Sequence, residues 1–101
     1  MEKVPVILPV GIPVTYPSEH GVLKLVATNI IFSKLKDEHG KEKGCWTSAL
    51  SMMIGEDRET MKAYKVHAGK SVQLGKFTVN ILRIDRSRSG MVVMADIVTV
   101  E

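Results

Sequence analysis

The sequence has few of the residues that cross-link a protein, anchor it in a membrane or direct it to a compartment. Cys45 is the only cysteine, so no disulfide can form within the chain. No apolar run approaches the roughly 18 residues that a transmembrane helix needs. The apolar N-terminal stretch has neither the basic start nor the small-residue cleavage site of a signal peptide. We therefore expect a soluble protein of a reducing compartment, the cytoplasm, with no membrane partner.

The patterns of common enzymes and metal proteins are also missing from the sequence. It has no glycine-rich phosphate loop, no paired catalytic carboxylates and no serine–histidine–aspartate context. None of the histidines, His20, His39 and His67, stands at a metal-ligand spacing from another ligand. We assign the methionines to the core rather than to a copper site, because they occur inside apolar segments. We expect no cofactor, no metal and no enzymatic activity.

What the chain does have is the composition of one globular domain. Hydrophobic residues make up 45% of it and charged residues 25%. We predict a single β domain over residues 1–101. Prolines recur every four residues in its first part, at Pro5, Pro9, Pro13 and Pro17. They exclude a helix there and predict that residues 1–17 form an extended arm or edge strand. Since this arm is apolar, we expect a homo-oligomer in which it contacts a neighbouring subunit.

Turn signals about every ten residues, separated by β-branched and apolar segments, predict six or seven short strands. The fold class is therefore mainly β, as an antiparallel β-sandwich or a partly open small barrel. Residues 45–54 fit a strand slightly better than a helix; the alternative is an α+β fold with one short helix there. The strand predicted over residues 22–35 can be broken near Thr28–Asn29. After Ile81 the apolar phase shifts by one residue, which predicts a β-bulge.

The apolar alternation also predicts which side chains fill the core. The expected members, or their neighbours on the same strand face, are Val26, Ile30, Phe32, Trp46, Leu50, Phe77, Val79, Ile81, Val93, Ile97 and Val98.

One segment has an enzyme-like pattern. Gly44-Cys45-Trp46-Thr47-Ser48-Ala49 resembles the nucleophile segment of papain-like peptidases, in which a cysteine followed by tryptophan opens a helix. The resemblance implies Cys45 as nucleophile and His67 or His20 as base, which is a remote alternative of cysteine-dependent hydrolysis. The glycine–serine context before the cysteine is missing, and too few residues follow it for the second half of that fold. We predict that Cys45 is buried, unreactive and structural, packed beside Trp46.

The net charge of +3 is modest, and the lysine-rich region 34–43 mixes both signs, which is typical of a solvated turn. The sharpest basic cluster is Arg83, Arg86 and Arg88, which could bind phosphates of a nucleic acid on a small barrel. A nucleic-acid-binding strand would normally interleave aromatic residues with these arginines, and this one does not. The favoured function is a non-enzymatic binding module that recognises a protein or small ligand through loops or strand edges; nucleic-acid binding is the alternative.

Overall fold

The computed structural model describes residues 3–19, 21–36, 38–88 and 90–99. Within these residues there are β-strands and no helix. The strands in chain order are β1 (Lys3–Pro9), β2 (Val14–Ser18), β3 (Gly21–Lys36), β4 (Glu42–Ile54), β5 (Asp57–His67), β6 (Ser71–Leu74), β7 (Phe77–Ser87) and β8 (Gly90–Thr99).

These strands form two antiparallel sheets of four strands each. Sheet A has the order β1-β8-β7-β6, and sheet B has the order β2-β3-β4-β5. The prediction of an antiparallel β-sandwich is confirmed, with eight strands instead of six or seven. The alternative of a helix at 45–54 is wrong, because those residues lie within β4 and pair with both β3 and β5.

The proline-rich N-terminal segment accounts for the higher strand count. It forms β1 at the edge of sheet A, turns, and then forms β2 at the edge of sheet B. Gly11 makes this turn with a φ of 78°, and the Ile12 amide donates to the Pro9 carbonyl at 3.2 Å. Proline is tolerated at both places because an edge strand leaves some amides without a ladder partner. β1 pairs with β8 of the same chain and buries Leu8 completely.

The core lies between the two sheets and takes alternate residues from each strand. Its buried apolar members are Leu8, Leu23, Leu25, Ala27, Leu50, Met52, Val66, Val72, Leu74, Phe77, Val79, Ile81, Val93, Ala95 and Ile97. Tyr16 of sheet B meets Phe77 of sheet A edge to face, with ring centroids 6.2 Å apart. The Tyr64 hydroxyl donates to the Gln73 carbonyl at 3.2 Å, which joins β5 to β6 at one edge.

Six of the predicted core residues are buried, namely Leu50, Phe77, Val79, Ile81, Val93 and Ile97. Val26 and Val98 are half-buried on the outer faces of their sheets, so their prediction as core residues is wrong, while Ile30 packs partly against the core. Phe32 and Trp46 are exposed, so the prediction is wrong for both.

The β-bulge expected after Ile81 is confirmed. Near Thr28–Asn29, where a break of the strand was expected, β3 is instead one continuous strand that contains a second irregularity. The register of β7 against β8 shifts between Ile81 and Arg83, as a β-bulge requires. The register of β3 against β4 shifts between Thr28 and Ile31, where Asn29 has a φ of 51°. Asparagine is one of the few residues that adopts this left-handed conformation at low cost. Because β3 has one extra residue here, Phe32 lies on the same face of the strand as Ala27, opposite Trp46.

We expect Leu50→Ala to lower the free energy of unfolding by about 2–5 kcal/mol, because it opens a cavity between the sheets. Leu50 is fully buried at the centre of sheet B. Urea unfolding followed by circular dichroism measures the change. Leu82→Ala is the matched control, since Leu82 is 54% exposed. Equal losses in the two variants would contradict this description of the core.

Candidate functional site

The β3–β4 hairpin extends beyond the strands on either side of it. β2 pairs with β3 only as far as Leu25, and β5 pairs with β4 only from Thr47 onward. Residues 31–36 and 42–46 therefore form a two-stranded ribbon that continues sheet B past its neighbours. Such a ribbon has two free edges and two open faces, and both faces carry groups that could bind a ligand.

An aromatic pair lies on the first face of the ribbon. Phe32 and Trp46 are directly opposite each other in the ladder, with ring centroids 5.4 Å apart in an edge-to-face arrangement. Phe32 is 59% exposed and Trp46 is 39% exposed. The Phe32 ring lies over Gly44, where an added Cβ would come within 2.4 Å of it. These residues continue the inward-facing positions of sheet B into solvent, which is why their apolar character suggested a core.

The second face of the ribbon adjoins the end of β5 and forms a concave surface. Two adjacent pockets of about 330 and 340 Å³ share Leu35, Lys36 and His67 in their walls. We call this surface the basic cleft; its lining residues are Leu35, Lys36, Lys43, Cys45, Thr47, Lys65, His67, Ala68 and Lys70. Among the residues that the structure describes, no aspartate or glutamate lines either pocket.

Cys45 and His67 both line one pocket of this cleft. The ladder explains this, because His67 is opposite Thr47 and Cys45 lies two residues along the same strand face. Cys45 is half-buried, so the prediction that it is buried is wrong; it faces away from the inter-sheet core and from Trp46. Nδ1 of His67 lies 2.9 Å from the Ala68 carbonyl oxygen.

The resemblance to papain-like peptidases fails on local structure. Cys45 lies inside strand β4, so no helix N-terminus is available to stabilise a thiolate there. His20, the other base that the resemblance implied, lies outside the described residues. The unreactive character of Cys45 stays a prediction.

The three predicted arginines do not converge on one face. Arg83 and Arg86 follow a continuous register against Met94 and Met91, so their odd spacing directs them to opposite faces of sheet A. Arg88 is exposed in the turn that follows. Arg83 forms an ion pair with Asp85. Arginine binding of nucleic acid therefore gains no support from this placement, although it stays a prediction.

Asp85 is held in its charged form by these arginines. The Arg86 backbone amide donates to it at 2.9 Å, and the Arg83 guanidinium adds a hydrogen bond and a favourable charge. Together they hold the pKa of the Asp85 carboxyl below that of an ordinary aspartate. This carboxylate removes part of the positive potential at the arginine turn.

The basic cleft was not predicted, because its lysines come from three separate segments. Lys36 ends β3, Lys43 lies in β4, and Lys65 and Lys70 lie on and after β5. In the sequence, the region of Lys36 and Lys43 has the composition of a solvated turn. The register of β4 against β5 is what brings these segments together. A sequence signal existed only for the aromatic face, where Phe32, Lys34 and Lys36 alternate along one strand.

Two further features bear on function. The described residues include no group of three or more histidine, cysteine, aspartate or glutamate side chains placed to hold a metal ion. They also include no helix of the length and hydrophobicity needed to span a bilayer.

Comparison with known proteins found no matching family model, no matching curated protein and no matching solved structure.

We expect Gly44→Ala to push the Phe32 ring off the ribbon and to change the environment of Trp46. Trp46 is the only tryptophan, so its fluorescence emission reports on this face alone. Cys45→Ala is the control, since that residue is on the opposite face. An unchanged emission spectrum in Gly44→Ala would contradict the packing of Phe32 on Gly44.

We expect the pKa of Asp85 to rise in Arg83→Gln but to stay below the ordinary aspartate value, because the Arg86 amide remains. Carbon-detected NMR titration of the carboxyl group measures it. Arg88→Gln is the charge-matched control and should leave the midpoint unchanged. A midpoint in Arg83→Gln identical to that of the wild type would contradict the assigned role of Arg83.

Proposed function

We propose that this chain is a non-enzymatic binding module that self-associates through the aromatic face of its β3–β4 ribbon. The observation that carries the proposal is the solvent exposure of Phe32 and Trp46. Their rings contact each other edge to face on the ribbon, outside the core between the two sheets. Aromatic side chains are enriched where proteins bind one another, because they bury a large area at low entropic cost.

The energetics favour a covered ribbon. A two-stranded ribbon is at best marginally stable in water on its own. Ile31 is also exposed, but it is opposite Thr47 in the ladder and lies on the other face of the ribbon. Covering the exposed parts of Phe32 and Trp46 would contribute on the order of 1–2 kcal/mol for each side chain. A protein surface that covers them would stabilise the ribbon and be stabilised by it.

The charges around the aromatic pair suit a second copy of the same chain. On this face Lys34 is opposite Gly44, and Lys36 is opposite Glu42. The rim therefore carries both signs. In a two-fold symmetric dimer each surface meets itself reversed, so that Glu42 of one copy can lie near a lysine of the other.

The sheet edges support pairing between copies less well. β1 and β2 contain prolines, and β6 has only four residues. β5 is long and free of proline, but Lys62 and Lys65 are exposed along it. Charged residues on an edge strand discourage pairing with another chain. The ribbon is thus the better candidate for the contact surface.

The proposal includes the cytoplasm as the compartment, because a single unpaired cysteine persists most readily in a reducing environment. Enzymatic activity is not part of it, since Cys45 lies in a strand and its approach to His67 is accounted for by the ladder alone.

We expect sedimentation equilibrium to show a mass that rises from monomer toward dimer between low and high micromolar concentration. Over the same range Trp46 emission should shift to shorter wavelength as the ribbon is covered. Phe32→Ala should weaken association at least about tenfold, equivalent to about 1.4 kcal/mol. It should leave the fold intact, because the ring lies outside the core.

Leu82→Ala is the control, since Leu82 is 54% exposed against 59% for Phe32 but lies on sheet A. A wild-type protein that stays monomeric at high micromolar concentration would refute self-association. Equal weakening by Leu82→Ala and Phe32→Ala would refute the assignment to the ribbon.

A further inference from the structure

We infer that the basic cleft is a binding site for a small molecule bearing phosphate groups, such as a diphosphate or a phosphate ester. This goes beyond the proposed self-association, because neither Phe32 nor Trp46 lines the cleft. Lys36 is the one lining lysine whose ladder position, opposite Glu42, is on the aromatic face. It rests on the shape of the cleft, the charges that line it and the positions of its donors.

The shape fits a small ligand rather than an extended one. The two pockets are open depressions of about 330 and 340 Å³ that have Leu35, Lys36 and His67 in common. Sites for small molecules in proteins begin at about 300 Å³. Leu35 and Ala68 form apolar parts of the wall, against which the organic portion of a phosphate ester can pack.

The charge of the lining has one sign. Lys36, Lys65 and Lys70 line one pocket, while Lys36 and Lys43 line the other. None of these four lysines forms an ion pair with a described residue. Clustered like charges repel, so the cluster destabilises the empty protein and is relieved by a multiply charged anion.

One of the donors is held in place by a backbone group. The Lys70 ammonium donates to the Lys65 carbonyl at 3.0 Å, which leaves two further N–H groups for a ligand. Thr47, buried at the base of the ribbon, lines the same pocket, but its hydroxyl already donates to the Ile31 carbonyl at 3.3 Å. The lysine ammonium groups are therefore the donors for an anion.

Phosphate suits this set of donors better than a single carboxylate does. A lysine ammonium acts as a compact point charge and is widely used to bind phosphate. Four such charges around two adjacent pockets match a ligand with two or more negative charges. Among the described lining residues no carboxylate is present to hold a hard cation such as Mg²⁺ in the same place.

Isothermal titration calorimetry of the full chain with pyrophosphate tests the inference. We expect saturable binding to the wild type, weaker binding of inorganic phosphate, and roughly tenfold weaker pyrophosphate binding in Lys43→Gln and in Lys65→Gln. Lys76→Gln is the charge-matched control, because Lys76 does not line the cleft. Its neighbour Gly75 lies beside Ile54, at the end of β4 away from the ribbon. Phe32→Ala should bind pyrophosphate as the wild type does, whether or not the protein self-associates.

Three results would overturn the inference. The first is no saturable pyrophosphate binding at millimolar concentration. The second is equal weakening in Lys76→Gln, which would mean a response to net charge alone. The third is that a mixed single-stranded oligonucleotide binds far more tightly than pyrophosphate and depends on the same lysines, which would make the cleft a nucleic-acid surface.

Discussion

The antiparallel pairing of β3 with β4 is the interaction on which the other features of this protein depend. Its first half, from Leu23 to Ala27 against residues 50–54, forms the centre of sheet B and the floor of the core. Its second half continues into solvent as the ribbon. Because side chains alternate across a ladder, one backbone arrangement supplies both an aromatic face and the floor of the basic cleft.

The bulge at Asn29 sets the phase of that second half. Without the extra residue, every side chain beyond it on β3 would move to the other face of the ribbon. Two buried hydroxyls satisfy backbone carbonyls where the ladder is interrupted. Ser48 donates to the Thr28 carbonyl at 2.9 Å, and Thr47 donates to the Ile31 carbonyl at 3.3 Å. The bulge is thus hydrogen-bonded from β4, as a buried interruption of a sheet requires.

Local pattern was enough to predict the sandwich, the strand at 45–54 and the position of the bulge in β7. These depend on periodicity and turn residues, which neighbouring positions encode. The exposure of Phe32 and Trp46 could not be predicted in the same way, because alternation looks alike whether or not a second sheet covers the face. Trp46 stands four residues before Leu50 on the same strand face, yet only Leu50 lies beneath sheet A.

The candidate sites required the register, which is not a local property. Cys45 and His67 share a pocket because β4 and β5 pair with Thr47 opposite His67. The lysines of the basic cleft converge for the same reason. A shift of β5 by one residue would turn Lys65 to the other side of the sheet.

The pairing of β1 with β8 has a consequence for the order in which the chain folds. Lys3 is opposite Val98, so this ladder joins the two ends of the described chain, whereas β3–β4, β4–β5, β6–β7 and β7–β8 are hairpins between consecutive strands. Contacts of such long sequence separation form slowly, because a large loop must close first. During synthesis β1 emerges long before its partner, and in the meantime Leu8 lacks the cover that it has in the folded protein. Pro5 and Pro9 interrupt its donors, which limits the pairing of this strand with other nascent chains until β8 arrives.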